Sequence, residues 1–184
     1  TIDRIKNKYL NQLSNDDQKN FQDNLRIINN QIKQIENLVN EFSDFARMPK
    51  PLFKSNNLNL VIKENINLVS KFDNSIKIRL INHLTKDVIL KFDNEQFNRL
   101  FFNLIKNSVE SIHEKLEKDS KSNKNIDIEI RQRRDYIIVN IEDTGTGFKN
   151  KKTKDLIKPY FTTKEKGTGL GLSIVDKIVS DHEG

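Results

Sequence analysis

Cysteine is absent from the 184 residues, which excludes a disulfide framework and a thiolate zinc site and suits a reducing compartment. No apolar run approaches the roughly 18 residues that a membrane-spanning helix needs, and no signal-peptide pattern opens the chain. Proline occurs three times and glycine six times, so both act as punctuation where they fall. Hydrophobic residues make up 35% and include 11 Phe, enough for a modest core, while 32% charged residues suggest an extensive solvated surface. The net charge of +6 comes from lysines spread along the chain beside Asn, Asp or Glu. That scatter argues against a nucleic-acid-binding face. The length fits one domain, or a small domain with a helical appendage. The chain opens at Thr1 inside a helical pattern, and we expect it to be a piece of something longer.

Apolar residues at Phe21, Leu25, Ile28, Ile32, Ile35, Val39 and Phe42 alternate in steps of four and three, the spacing of a packed helical seam. Leu38 and Phe45 widen the stripe as a four-helix bundle needs. Ile2, Ile5 and Tyr9 mark the tail of an earlier amphipathic helix, and Ser14 with Asp17 forms a capping-box start for the next. Residues 1–47 therefore read as a helical hairpin with a short first arm. It can pack on the core of its own domain or form half of a symmetric dimer bundle, and the length of the seam favours the dimer. Pro49 and Pro51 end the helix, which gives a linker over 48–57 and a second domain over 58–184.

In that second region the pattern predicts a helix near 58–71, a strand at "SIKIRLIN" and another at "DVILKFD". Asp93 with Gln96 caps a long helix to about Leu116. "IDIEIRQ" and "YIIVNIED" read as an antiparallel pair around Arg134-Asp135, and a last helix starts near Leu170. This order implies an α+β fold with one sheet covered by helices on one face.

Three clusters can carry chemistry. On the long helix Asn103 and Asn107 share a face that Ser111 continues. Asn is a poor mid-helix residue, so the pair fits either a solvated face or a site for a hard cation such as Mg²⁺ beside phosphates. Glu110, one turn on, can orient a metal-bound water or simply be exposed. In "IEDTGTGF" Asp143 closes a strand, and Gly145 and Gly147 permit positive φ and close approach to a ligand. A carboxylate there seeks a donor such as an adenine amino group, although such a pattern alone also fits a turn. In "PYFTTKEKGTGLGLSIV" Gly167, Gly169 and Gly171 lead into a helix whose free N–H groups make an anion cradle. No Lys-Ser/Thr follows the last glycine, so it is no Walker loop, and no room remains for a dinucleotide-binding βαβ unit.

Taken together these residues resemble the catalytic, ATP-binding domain of bacterial sensor histidine kinases, in the wider family shared with gyrase, Hsp90 and MutL. Asn107 matches the N box, Asp143 through Gly147 the G1 box, Phe161-Thr162-Thr163-Lys164 the F box, and Gly167-Thr168-Gly169-Leu170-Gly171 with its following leucine the G2 box. "LVNEFSDFARMPKP" is similar to the second helix of the dimerisation and phosphotransfer hairpin in NtrY-like nitrogen-regulation sensor kinases. The resemblance covers essentially the whole chain. It implies a partial hairpin followed by a two-layer α/β sandwich. It also implies ATP and Mg²⁺ as ligands, Asn107 as a metal ligand, Asp143 as the adenine acceptor, a lid over 148–166, and phosphate contacts from Gly169 and Gly171. Asn103, Thr163 and Lys164 would stand near the nucleotide. The implied partners are a second copy and a response regulator receiver domain, with no nucleic acid, and membrane attachment only through upstream segments, in the cytoplasmic part of an inner-membrane sensor.

Two departures from the family pattern stand out. The acceptor histidine in a His-Glu-x-x-x-Pro context is absent: His83, His113 and His182 lack it. The family's closing strands after the last helix are also expected to be missing. The competing readings are a self-standing ATPase of the wider family, which would place a glutamate base where Asn103 stands, and a dimeric binding module without catalysis.

Overall fold

The computed structural model describes residues 2–148, 153–162, 164 and 167–184. They divide into two units, each taken by itself. The first comprises the described residues up to Met48 with Lys164, Gly167 and Thr168. Its helices are α1 (Ile2–Tyr9), continued by a 3-10 turn at Leu10–Gln12, and α2 (Asn15–Ala46). Ser14 caps α2 as its sequence predicts: its hydroxyl accepts from the Asp17 N–H at 3.3 Å and donates to the Asp17 carboxylate. Among the described residues of this unit, Leu25 is the one buried hydrophobic side chain. Ile28, Ile32, Ile35, Val39 and Phe42 remain exposed, so the seam is not spent on a core of this chain.

The second unit comprises the described residues from Pro49 to Thr162 and from Gly169 to Gly184. Its elements are β1 (Lys54–Asn57), α3 (Leu58–Phe72), β2 (Lys77–Asn82), β3 (Ile89–Phe92), α4 (Asn94–Leu116), β4 (Asn125–Arg133), β5 (Tyr136–Asp143), the short α5 (Thr153–Leu156) and α6 (Gly171–Asp181). Two features differ from the sequence reading. Residues 54–57, expected within a linker, form a strand that pairs antiparallel with β3, Lys54 opposite Phe92 and Asn57 opposite Ile89. "KSNN" carries no alternating apolar signal, so backbone pairing rather than side-chain burial defines it. The strands also form two sheets, β1-β3 and β2-β4-β5, instead of one.

In the larger sheet β4 is central, parallel to β2 and antiparallel to β5. Ile126, Ile128 and Ile130 alternate along β4 onto one face and are fully buried. Helices α3 and α4 pack against this sheet, and α6 packs on α4. Ile105, Ile112, Leu170, Ile174 and Ile178 fill the contact layer, an apolar stripe at helical spacing on each helix. The β4–β5 turn puts Arg134 at φ 54°, the left-handed conformation a tight hairpin needs.

Helix α4 positions the site, and its start is held by side chains. The Asp93 carboxylate caps its start, accepting from the Gln96 N–H at 3.0 Å and the Leu52 N–H at 2.7 Å. The Asp93 N–H donates to His182 Nε2 at 3.1 Å, while His182 Nδ1–H donates to the Ile178 carbonyl at 2.8 Å. The end of α6 is thereby tied to the start of α4, so the two helices run antiparallel.

Candidate functional site

The start of α6 lies beside the middle of α4. A Cβ built on Gly171 would stand 3.2 Å from Asn103 Oδ1 and 3.7 Å from Asn107 Nδ2. Both carboxamides therefore face the first residue of α6, two helical turns and more from the Asp93 cap. Asn103 Nδ2 donates back to the Arg99 carbonyl at 2.8 Å, which fixes its rotamer and turns Oδ1 towards Gly171. Asn107 is half-buried, and its carboxamide makes no hydrogen bond among the described residues. Its oxygen and amino group are therefore available to water or to a ligand.

Leu170 precedes α6 and offers no side-chain cap, so among the described residues the first N–H groups of the helix have no side-chain acceptor from that position. Leu170 itself is buried, and its carbonyl accepts from the Ser173 hydroxyl at 2.8 Å and the Ile174 N–H at 2.9 Å. Gly169 has φ +71°, and a Cβ there would lie 2.8 Å from the Phe161 nitrogen and against the Tyr160 backbone. The glycine thus serves two needs, a left-handed turn and contact of two backbones. Phe161 is half-buried and its N–H donates to the Lys158 carbonyl at 3.2 Å; Thr162 is exposed.

The second wall is the loop that leaves β5. Asp143 Oδ1 accepts from the Gly145 N–H at 2.9 Å, and no hydrogen bond reaches Oδ2 among the described residues. Gly145 rests on α4: an added Cβ would overlap the Ser111 hydroxyl and lie 2.7 Å from the Ser111 carbonyl carbon. The Thr146 N–H donates to Ser111 Oγ at 3.0 Å and to the Ser111 carbonyl at 3.3 Å. Gly147 has φ +65° with nothing near the position a Cβ would take. One helix, α4, therefore carries Asn103 and Asn107 and also seats the Asp143 loop through Ser111.

Lys164, Gly167 and Thr168 group with the first unit. There the Gly167 N–H donates to the Lys164 carbonyl at 3.2 Å, and the Thr168 hydroxyl donates to the Glu41 carboxylate. Thr163 lies outside the described residues, as do parts of the 148–166 lid. Glu110 faces Lys106 across one helical turn, 3.9 Å apart. Among the described residues no group of three or more His, Asp or Glu side chains could hold a metal by itself. Sequence reasoning missed Lys115, and it took Thr144 only as a member of the G1 box. Lys115 Nζ donates to the Thr144 carbonyl at 2.8 Å, a long-range bond to a backbone atom that no spacing rule announces.

Asp93, at the base of α4, titrates below the usual carboxylate range. Burial raises its pKa, but N–H donors of Gln96, Leu52 and Glu95 together with the nearby His182 more than offset that.

A family model described as histidine kinase-, DNA gyrase B-, and HSP90-like ATPase matches residues 92–184. The nitrogen regulation protein NtrY of Azorhizobium caulinodans is 31% identical over the full chain, which covers 23% of that protein. Sporulation kinase E of Bacillus subtilis is 27% identical over 86% of this chain and 21% of its own length. The chain thus spans less than a quarter of either curated relative. Among solved structures, the nucleotide-free catalytic domain of histidine kinase ThkA superposes with a TM-score of 0.59 at 25% identity, over 71% of this chain and 81% of that one.

Proposed function

The chain belongs to the histidine kinase-, DNA gyrase B- and HSP90-like ATPase family, and on that premise we propose that it is the ATP-binding catalytic part of a two-component sensor histidine kinase. The observation that carries the reading is the convergence of Asn103 and Asn107 on the glycine that opens α6. The donors there fit a polyphosphate with a hard cation: an unspent carboxamide, uncapped helix N–H groups, and space that a side chain would fill. Asn107 would hold Mg²⁺, and the amides at Gly169 and Gly171 would hold phosphate oxygens. Thr162, Thr163, Lys164, Gly167 and Thr168 would belong to the lid and its hinge. Asp143 Oδ2 would accept from the adenine amino group, with Gly145 and Gly147 shaping the base pocket.

Bound Mg²⁺ and ATP supply the phosphoryl group and neutralise the charge that develops on it, so the protein's part is placement. Asn103 cannot take a proton as a carboxylate base would, which disfavours a self-standing ATPase. The acceptor would instead be a histidine on another segment, with a response regulator receiving the phosphoryl group in turn. Pairing of two chains through α2 would cover its exposed apolar stripe. Residues 1–47 would be part of the dimerisation and phosphotransfer hairpin and 58–184 the catalytic domain, in the cytoplasmic portion of a membrane-bound sensor.

Fluorescent-ATP titration tests the reading. Asp143→Ala removes a charged hydrogen bond worth about 1.5–3 kcal/mol, so affinity should fall about tenfold or more. Equal affinity of the variant and the wild type would refute the assignment.

A further inference from the structure

We propose that Lys115, with Ser111, is a specificity-determining positioning residue: the two form a bracket on α4 that sets where the Asp143 carboxylate stands. The inference rests on the reading of Asp143 as the adenine acceptor. Asp143 is the last residue of β5, where the ladder with β4 ends at the Ile126–Asp143 pair. A carboxylate at a free strand end can swing, and a shift of about 1 Å is enough to spoil a directional hydrogen bond.

Three groups of contacts hold this strand end. From α4, Lys115 Nζ donates to the Thr144 carbonyl at 2.8 Å, and Ser111 accepts the Thr146 N–H through its hydroxyl at 3.0 Å and its carbonyl at 3.3 Å. From the start of β4, the Asn125 N–H donates to Thr144 Oγ1 at 3.1 Å, and that hydroxyl donates to the Asn123 carbonyl at 2.6 Å. Within the loop, the Gly145 N–H fixes Asp143 Oδ1 at 2.9 Å. The peptide units on both sides of Gly145 are thus pinned to one helix, and Oδ2 is the carboxylate oxygen with no hydrogen bond among the described residues. An ammonium on a carbonyl is the stronger kind of hydrogen bond, and this one is partly buried. It also places a positive charge one residue from Asp143 without occupying either carboxylate oxygen.

A bracket of this kind acts on the base and not on the phosphates, which the N–H groups of α6 and the α4 carboxamides would hold. The test uses the full chain and competition by ATP, GTP and inorganic tripolyphosphate against a fluorescent ATP analogue. Lys115→Met should weaken ATP about fivefold to tenfold, less than the loss of the Asp143 acceptor itself because Lys115 acts only through that carboxylate. GTP and tripolyphosphate should stay within about twofold, so the ATP-to-GTP ratio shrinks. Lys115→Arg keeps a donor and should restore the ratio. Ser111→Ala removes one of two acceptors and should give a smaller loss of the same pattern. In the Asp143→Ala background Lys115→Met should add nothing further.

An unchanged ATP-to-GTP ratio in Lys115→Met, or an equal loss for all three ligands, would overturn the bracket, the second by showing a general structural role. Should Asp143→Ala itself leave the ratio intact, the adenine reading falls and the bracket with it. Loss of the ratio in Asp143→Ala alone leaves that reading standing and rejects only the bracket.

Discussion

Gly145 and Gly147 stand two positions apart yet resist substitution for different reasons. At Gly147 only the backbone objects: φ is +65° and the space is open. Alanine there should cost roughly 1–2 kcal/mol, a fall of about 2–4 °C in Tm per kcal/mol in a chain of this size. At Gly145 the obstacle is Ser111, with its hydroxyl in the way and its carbonyl carbon 2.7 Å off. Gly145→Ala must push the loop away from α4, so ATP affinity should fall along with Tm. Ser111→Gly should restore only part of it, because the backbone carbon stays. Calorimetric melts with parallel ATP titrations check both; a Gly145→Ala chain that binds ATP as the wild type does would contradict the account. Asp93 supplies a pH dependence. Its folded pKa lies below the unfolded value near 3.8, so its contribution to stability is complete above that value and is lost as pH falls through the lower, folded one. Asp93→Asn keeps the acceptor for the Gln96 N–H but loses the one for Leu52. It should therefore lower Tm at pH 7 while flattening the acid limb of a Tm-against-pH curve, whereas Asp93→Ala should cost about 1–2 kcal/mol at pH 7 from loss of the cap.

The elements that sequence revealed are those whose signal is local. The Ser14 and Asp93 caps are one side chain reaching three residues on, and the helix and strand periods of α4, β4 and β5 recur within the element itself. Asn103, Asn107 and the glycines were legible for the same reason: a residue poorly suited to its place in a helix or turn announces a second demand. β1 was hidden because its identity lies in its partner, β3, 32 or more residues away, and its own side chains are polar. The Lys115–Thr144 bond was hidden likewise, 29 residues apart and made to a carbonyl that every residue has. Helix α2 carries a prediction at this scale. Its stripe is legible and exposed, and covering the remaining area of Ile32 (42% exposed) and Ile35 (60% exposed) would gain roughly 1 kcal/mol per side chain. A double Ile32→Asp, Ile35→Asp chain should sediment as a monomer at concentrations where the wild type associates. A wild type that stays monomeric at high concentration would count against dimerisation through this helix.

For the whole molecule the separation of binding from transfer is the main expectation. All three histidines have structural partners. His83 lies 3.8 Å from Glu129, His113 is paired with Asp73, and His182 bridges Asp93 and Ile178. None stands beside the Asn107 and Gly171 cradle in a contact the structure records. Incubation with γ-labelled ATP should leave the chain unlabelled, and a longer homologous chain bearing the acceptor histidine should become labelled when added. Acid-labile label on His83, His113 or His182 would contradict this. The most direct test of the central claim is an amide-resolved NMR titration of the chain with ATP, with and without Mg²⁺. The account predicts saturable shifts at Asn103, Asn107, Asp143, Gly145 and Gly171 that strengthen with Mg²⁺. Shifts confined to the outer strand residues of β4 and β5, or none that saturate, would contradict it.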